Sequence, residues 1–221
     1  MPVIAIIGAG PGLGAAAALK FGREGFAVAL IARNRDKLAA LEQALAADGI
    51  AAKAYPGDVS DREALVAALG LAAEELGPIE VLQYSPVPSS QFLRPVLDTT
   101  AADLRAATEF SILGPATAVE QVLPGMLERA SGTIVFVNGS SAVTPNGKVA
   151  GTSVAFAGES AYGAILHDAV AAQGVQVRQL IIPGAIGGGD PLFDPDALAE
   201  RLWQLHIVPG PFRVTVGDAP A

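Results

Sequence analysis

The sequence predicts an α/β fold: one doubly wound parallel sheet of about seven strands with helices on both faces. Three observations carry this. Short apolar runs alternate with amphipathic stretches from one end of the chain to the other. A glycine-rich turn separates the first apolar run from the first amphipathic stretch. Over 221 residues, 51% are hydrophobic, enough to bury a sizeable core, and the length suits one domain, read here as residues 1–221.

The elements follow in order. "VIAII" (3–7) is a buried strand, and "GLGAAAALKFGREG" (12–25) holds helix formers closed by Gly25. "FAVALIA" (26–32) is a second strand. In "RDKLAALEQALAADG" (35–49), Leu38, Leu41 and Leu45 recur at helical spacing before Gly49. A weaker strand, "AAKAYP" (51–56), precedes an amphipathic helix at 61–77 and a fourth strand, "IEVLQY" (79–84). The proline- and serine-rich stretch 85–95 is a loop, short enough not to divide domains. Two helices are expected at 99–108 and 111–129, a fifth strand at 133–138 and a long helix at 149–173. A sixth strand (175–184), a helix (194–206) and a last strand, "FRVTVG" (212–217), complete the set.

Charge and composition remove several function classes. With 14 basic and 22 acidic residues the net charge is −8, which argues against nucleic-acid or anionic-membrane partners. A local phosphate site remains compatible with that charge. There is no cysteine, so neither disulfides nor thiolate chemistry are available. No apolar stretch has the length and freedom from breakers that a membrane span needs. The N-terminus enters a strand at once, without a basic region and cleavage site, so a cytoplasmic protein is expected.

"GAGPGLG" places Gly8, Gly10, Gly12 and Gly14 between the first strand and the first helix. There the backbone of Gly8, Gly12, Leu13 and Gly14 can approach a pyrophosphate closely. The helix N-terminus presents free N–H groups and a positive dipole end to it. The turn therefore predicts a Rossmann-type dinucleotide site, the alternative being a tight strand-to-helix turn without ligand. At the end of the second strand, where an NAD site needs an acid for the ribose hydroxyls, stands Ala32, followed by Arg33, Asn34 and Arg35. An arginine there pairs with a 2′-phosphate, so NADP(H) is favoured over NAD(H). The alternative is that these arginines are solvated side chains before a helix.

At this point the chain resembles the short-chain dehydrogenase/reductase family. Gly8, Gly12 and Gly14 match that family's G-x-x-x-G-x-G, and "GDVSD" (57–61) matches its Asp-Val pair after the third strand. The resemblance implies that Asp58 hydrogen-bonds the adenine amine and that Val59 packs on the ring. "PGAIG" (183–187) matches the turn that lies beside the nicotinamide, which assigns Pro183 and Gly184 to the cofactor. It also implies a homodimer or homotetramer through the helices flanking the fifth strand, and a small-molecule substrate of unknown identity.

The family's catalytic positions depart from its pattern. Its Asn-Asn-Ala-Gly after the fourth strand is replaced by Tyr84-Ser85-Pro86-Val87, its helix asparagine aligns with Ser111, and its serine falls at Gly139 or Ser140. Thr152 stands at the tyrosine and Phe156 at the lysine. No shift of register restores the motif, because Val59, Pro88 and Leu166 follow the three tyrosines by four residues. Tyr162 is on the right helix, but ten residues past Thr152 is about 15 Å along the axis. A threonine hydroxyl is a very poor proton source, and Phe156 brings no charge to tune a neighbour.

The remaining polar groups are neutral. Ser140 and Tyr84, with Thr152 and Ser111, form the candidate catalytic set, Tyr84 being expected at the mouth of the pocket; alternatively they satisfy local backbone groups. Four glycines within 184–189 replace the lid expected of the family, giving a short and more open cover. Three functions stay in play: an atypical NADP(H)-dependent oxidoreductase, a cofactor-binding pseudoenzyme with a regulatory role, and a non-redox enzyme such as an isomerase or cyclase.

Overall fold

The parallel sheet is centred on strands whose two faces are both apolar, VIAII and AVALIA. In the computed structural model, which describes residues 1–218, the strands are β1 (Val3–Ile7), β2 (Ala27–Ala32), β3 (Ala52–Pro56), β4 (Ile79–Tyr84), β5 (Gly132–Gly139), β6 (Val175–Ile182) and β7 (Arg213–Thr215). They pair in the order β3-β2-β1-β4-β5-β6-β7, parallel throughout. Residues 219–221 of the expected domain lie outside the described residues.

Alternation along β1 shows the two layers. Val3, Ala5 and Ile7 join one core with the helices α3 (Arg62–Leu76), α5 (Gly114–Arg129) and α6 (Ala150–Val170). Ile4 and Ile6 point the other way, into a core with α1 (Leu13–Arg23), α2 (Arg35–Ala47) and α7 (Pro195–Ile207). Trp203 of α7 meets Phe21 of α1 edge-on at 5.2 Å between ring centroids and ties these two helices together. Helix starts are set by side-chain caps: Asn34 accepts from the Lys37 amide, Asp61 from Ala64 and Asp194 from Asp196.

Several boundaries differ from the sequence expectation for local reasons. The stretches expected as separate helices at 99–108 and 111–129 are α4 (Ala101–Thr108) and α5, joined through a π turn at Glu109–Leu113. A capping box of Thr100 and Asp103 starts α4. The long helix ends at Val170 and tightens into a 3₁₀ turn over Ala171–Gln173. The last strand keeps only Arg213–Thr215. The segment after β6 contains a 3₁₀ turn at Pro191–Phe193, with Gly187 and Gly189 at positive φ. The helix expected to be apolar on most faces leaves a stripe in solvent, with Val154 54% and Ile165 71% exposed.

Candidate active site

The carboxyl ends of β1, β4, β5 and β6 open on one edge, and their loops enclose a cleft of about 680 Å³. It lies where the strand order reverses between β1 and β4, the place where open α/β sheets bind ligands. One half is the glycine turn. Gly8 sits at φ 96°, and a Cβ there would come within 2.6 Å of the Pro86 backbone, so only glycine lets the β1 and β4 loops meet. A Cβ on Gly14 would stand 2.9 Å from Ala9 Cα, so its absence allows the helix to pack on the turn. Around Gly12 there is open space. No side chain caps the start of α1 and no acid stands in its first turn. The turn therefore offers a cradle and an unspent positive helix end, which fits a pyrophosphate.

A second hollow of about 250 Å³ adjoins it at the end of β2, lined by Arg33, Asn34, Lys37, Gly57 and Val59 among others. Among the described residues neither Arg33 nor Lys37 is in an ion pair. Asn34 lines the hollow while its side-chain oxygen caps α2 through the Lys37 amide at 2.9 Å. Asp58 does not line it; one carboxylate oxygen accepts the Ser60 amide at 2.9 Å. Sequence reasoning misses Lys37. Its place in the first turn of α2, four residues after Arg33, is the signal that could have found it.

The other half of the cleft carries Asn138, Ser140, Ser141, Thr152, Phe156, Pro183 and Gly184. Ser140 and Thr152 both line this half, and Thr152 donates its hydroxyl to the Val149 carbonyl at 3.1 Å. Phe156 packs with Ala142 and Ile181. None of the side chains lining this cleft is titratable.

Two expected members of the catalytic set are elsewhere. Tyr84 is 2% exposed, not at the mouth, and its hydroxyl donates to the Phe110 carbonyl. The reason is local: the π turn displaces the regular helical pairing of its carbonyls, and the phenol fills the gap beneath Gly114, where a Cβ would clash with it. Burial pushes the Tyr84 phenol well above its usual value, and the charges of Glu159 and Asp58 push it the same way. It is not an acid for a substrate. Ser111 lies in the same π turn, 2% exposed, and does not line the cleft.

A group that sequence reasoning passes over lies under the floor. Asn138 donates from Nδ2 to Glu159 Oε2 at 3.0 Å and accepts from Gln179 Nε2 at 2.8 Å. Glu159 is 1% exposed, and burial pushes its carboxyl up to about 8, although the Asn138 bond pulls it down.

Fold and cleft together define an α/β protein of Rossmann type. The family model described as short chain dehydrogenase matches residues 2–189, and the chain belongs to the short-chain dehydrogenase family. The 2,3-dihydro-2,3-dihydroxybenzoate dehydrogenase of Bacillus subtilis is 33% identical over 147 residues, 66% of this chain and 55% of that protein. The glycine betaine reductase ATRR of Emericella nidulans is 31% identical over 136 residues, 62% of this chain and 11% of that one. The chain thus spans about half, or much less, of these curated relatives. A short-chain dehydrogenase from Rhodopseudomonas palustris superposes with a TM-score of 0.87 at 26% identity, covering 99% of both chains. A metagenomic short-chain oxidoreductase solved in complex with NADP shares the fold, with a TM-score of 0.85 at 24% identity over 97% of this chain and 96% of that one. Among the described residues no helix is long and apolar enough to cross a membrane.

Proposed function

We propose that this chain is an NADP(H)-dependent oxidoreductase of atypical mechanism, acting on a small, uncharged carbonyl or alcohol. The observation that carries it is the pairing of an uncapped glycine turn with two basic side chains, Arg33 and Lys37, at the end of β2. The cofactor, when bound, supplies or takes a hydride. The glycine turn would hold the pyrophosphate, and Arg33 with Lys37 the 2′-phosphate. Asn138, Ser140 and Ser141 can orient a carbonyl by hydrogen bonds. With no titratable side chain on the lining, the proton for the product oxygen comes from water. Walls such as Leu93, Val149, Phe156 and Ile186 favour an uncharged substrate.

Titration of protein fluorescence with NADPH and NADH tests this reading. NADPH is expected to bind more tightly than NADH, and Arg33→Asp to weaken NADPH by about 10–100-fold, the worth of a charge-assisted phosphate contact. Equal affinities in wild type, unchanged by the substitution, would exclude the phosphate site. The absence of a titratable group also supports a second reading, a cofactor-binding pseudoenzyme, in which NADPH binds and no carbonyl or alcohol is turned over.

Self-association belongs to the same reading. Val154, Ala157, Ala161 and Ile165 form one exposed apolar stripe along α6. Ile165→Asp is expected to shift a dimer or tetramer toward monomer by light scattering. A monomeric wild type would refute the interface.

A further inference from the structure

Among the described residues Glu159 is the one carboxyl that combines burial with an oxygen lacking any partner, Oε1. Its other oxygen ends a directed chain. Arg213 on β7 donates from Nε to Gln179 Oε1 at 2.8 Å, and Ser160 donates to the same oxygen at 2.9 Å. That fixes which end of the Gln179 amide faces inward, so its Nε2 donates to Asn138 Oδ1. Asn138 must then aim Nδ2 at Glu159. The chain starts at a guanidinium and ends on a carboxyl with no cation beside it. Asn138 lines the cleft with Pro183 and Gly184, so Glu159 lies one side chain beneath the half assigned to the nicotinamide.

We propose that Glu159 is a positioning residue that couples its own proton to the redox state of the nicotinamide, the neutral acid accompanying the reduced ring and the carboxylate the oxidised ring. This rests on the reading that the cleft holds a nicotinamide cofactor. The oxidised ring carries one positive charge and the reduced ring none. A carboxylate below the floor attracts the first and gains nothing from the second, and the low local dielectric strengthens the difference. By linkage the effect is reciprocal: ionised Glu159 tightens the oxidised cofactor, and the oxidised cofactor favours ionised Glu159.

The surroundings leave Glu159 free to play this part. On β4 the titratable neighbour is Tyr84, held neutral by burial. On β6, Arg178 turns away, donating to the Val208 carbonyl beyond α7. On β7, Arg213 is spent on Gln179 and Ser160. In α4 and the π turn, Arg105 and Glu109 are exposed, while Asp103 pairs with Thr100 and Arg94. On α6 itself, burial raises the Tyr162 phenol above its usual value and keeps it neutral, His167 engages the Val177 carbonyl and Asp168 is exposed.

Dissociation constants for NADP⁺ and NADPH, measured on both sides of pH 8 in wild type and Glu159→Gln, test the coupling. In wild type the preference for NADP⁺ over NADPH is expected to grow about tenfold from the acid to the alkaline side, the coupling that moves a pKa by about one. In the variant it should stay flat. The 2′-phosphate titrates in both nucleotides and cancels in the ratio. A wild-type ratio that does not move while both nucleotides bind overturns the coupling and leaves the cofactor reading intact. Failure of both to bind overturns the two together. If the variant does not fold, infrared difference spectra of wild type with NADP⁺ and with NADPH replace it. Near pH 8 a protonated-carboxyl band stronger with NADPH than with NADP⁺ supports the coupling, and bands of equal strength refute it.

Discussion

A Thr152→Tyr/Phe156→Lys double variant is expected to oxidise NADPH with small ketones about 10²–10⁴-fold faster than the parent, the usual contribution of a positioned general acid. Both positions line the cleft and lie one turn apart on α6, so a phenol and an ammonium would share one wall. The ammonium lowers the phenol's pKa and makes it a proton donor near neutral pH. Thr152→Tyr alone should gain much less, because an untuned phenol stays near 10. Phe156→Lys loses packing against Ala142 and Ile181, which the apolar stem of lysine offsets in part. Loss of NADPH absorbance over a panel of ketones measures the gain. A folded double variant that binds NADPH like the parent and remains silent would count against an oxidoreductase and for the pseudoenzyme.

Glu159→Gln is expected to remove a pH dependence of stability and to be the more stable protein at alkaline pH. The carboxyl's ordinary value is 4.5 and burial raises it to about 8. The sign follows from proton binding. Between these values the folded protein keeps a proton that the unfolded chain has released, so stability falls as pH rises. The contribution is fully present below the lower value and is lost through the upper one. It amounts to about 3–5 kcal/mol, since each tenfold change in proton affinity is worth about 1.4 kcal/mol. Glutamine does not titrate, so the variant should lose this slope and be the more stable protein on the alkaline side of pH 8. Urea midpoints on either side of that pH measure it. Parallel pH profiles for the two proteins would show that the carboxyl is not held protonated by the fold.

The glycine turn and the missing Tyr-x-x-x-Lys are legible because each is written in consecutive residues. Gly8, Gly12 and Gly14 are spaced by the turn they make, and the absence at Thr152 and Phe156 holds in any register. Lys37 is harder to see, since it joins Arg33 only when α2 rises from the end of β2. Tyr84 is expected at the mouth because it ends a strand that leads to the cleft. A strand's alternation assigns residues to two faces without saying which face carries the cavity.

The sequence by itself determined the alternation of strand and helix, the glycine turn and the absence of any Tyr-x-x-x-Lys. These depend on local periodicity and on chain order. The tertiary structure decided the rest. It turned Tyr84 inward to the π turn, spent the Thr152 hydroxyl on a backbone carbonyl and sealed Glu159 beneath Asn138. On a helix with apolar residues around most of its circumference, periodicity does not say which face meets the sheet. Only packing against β5 and β6 selected the face that buries a carboxyl.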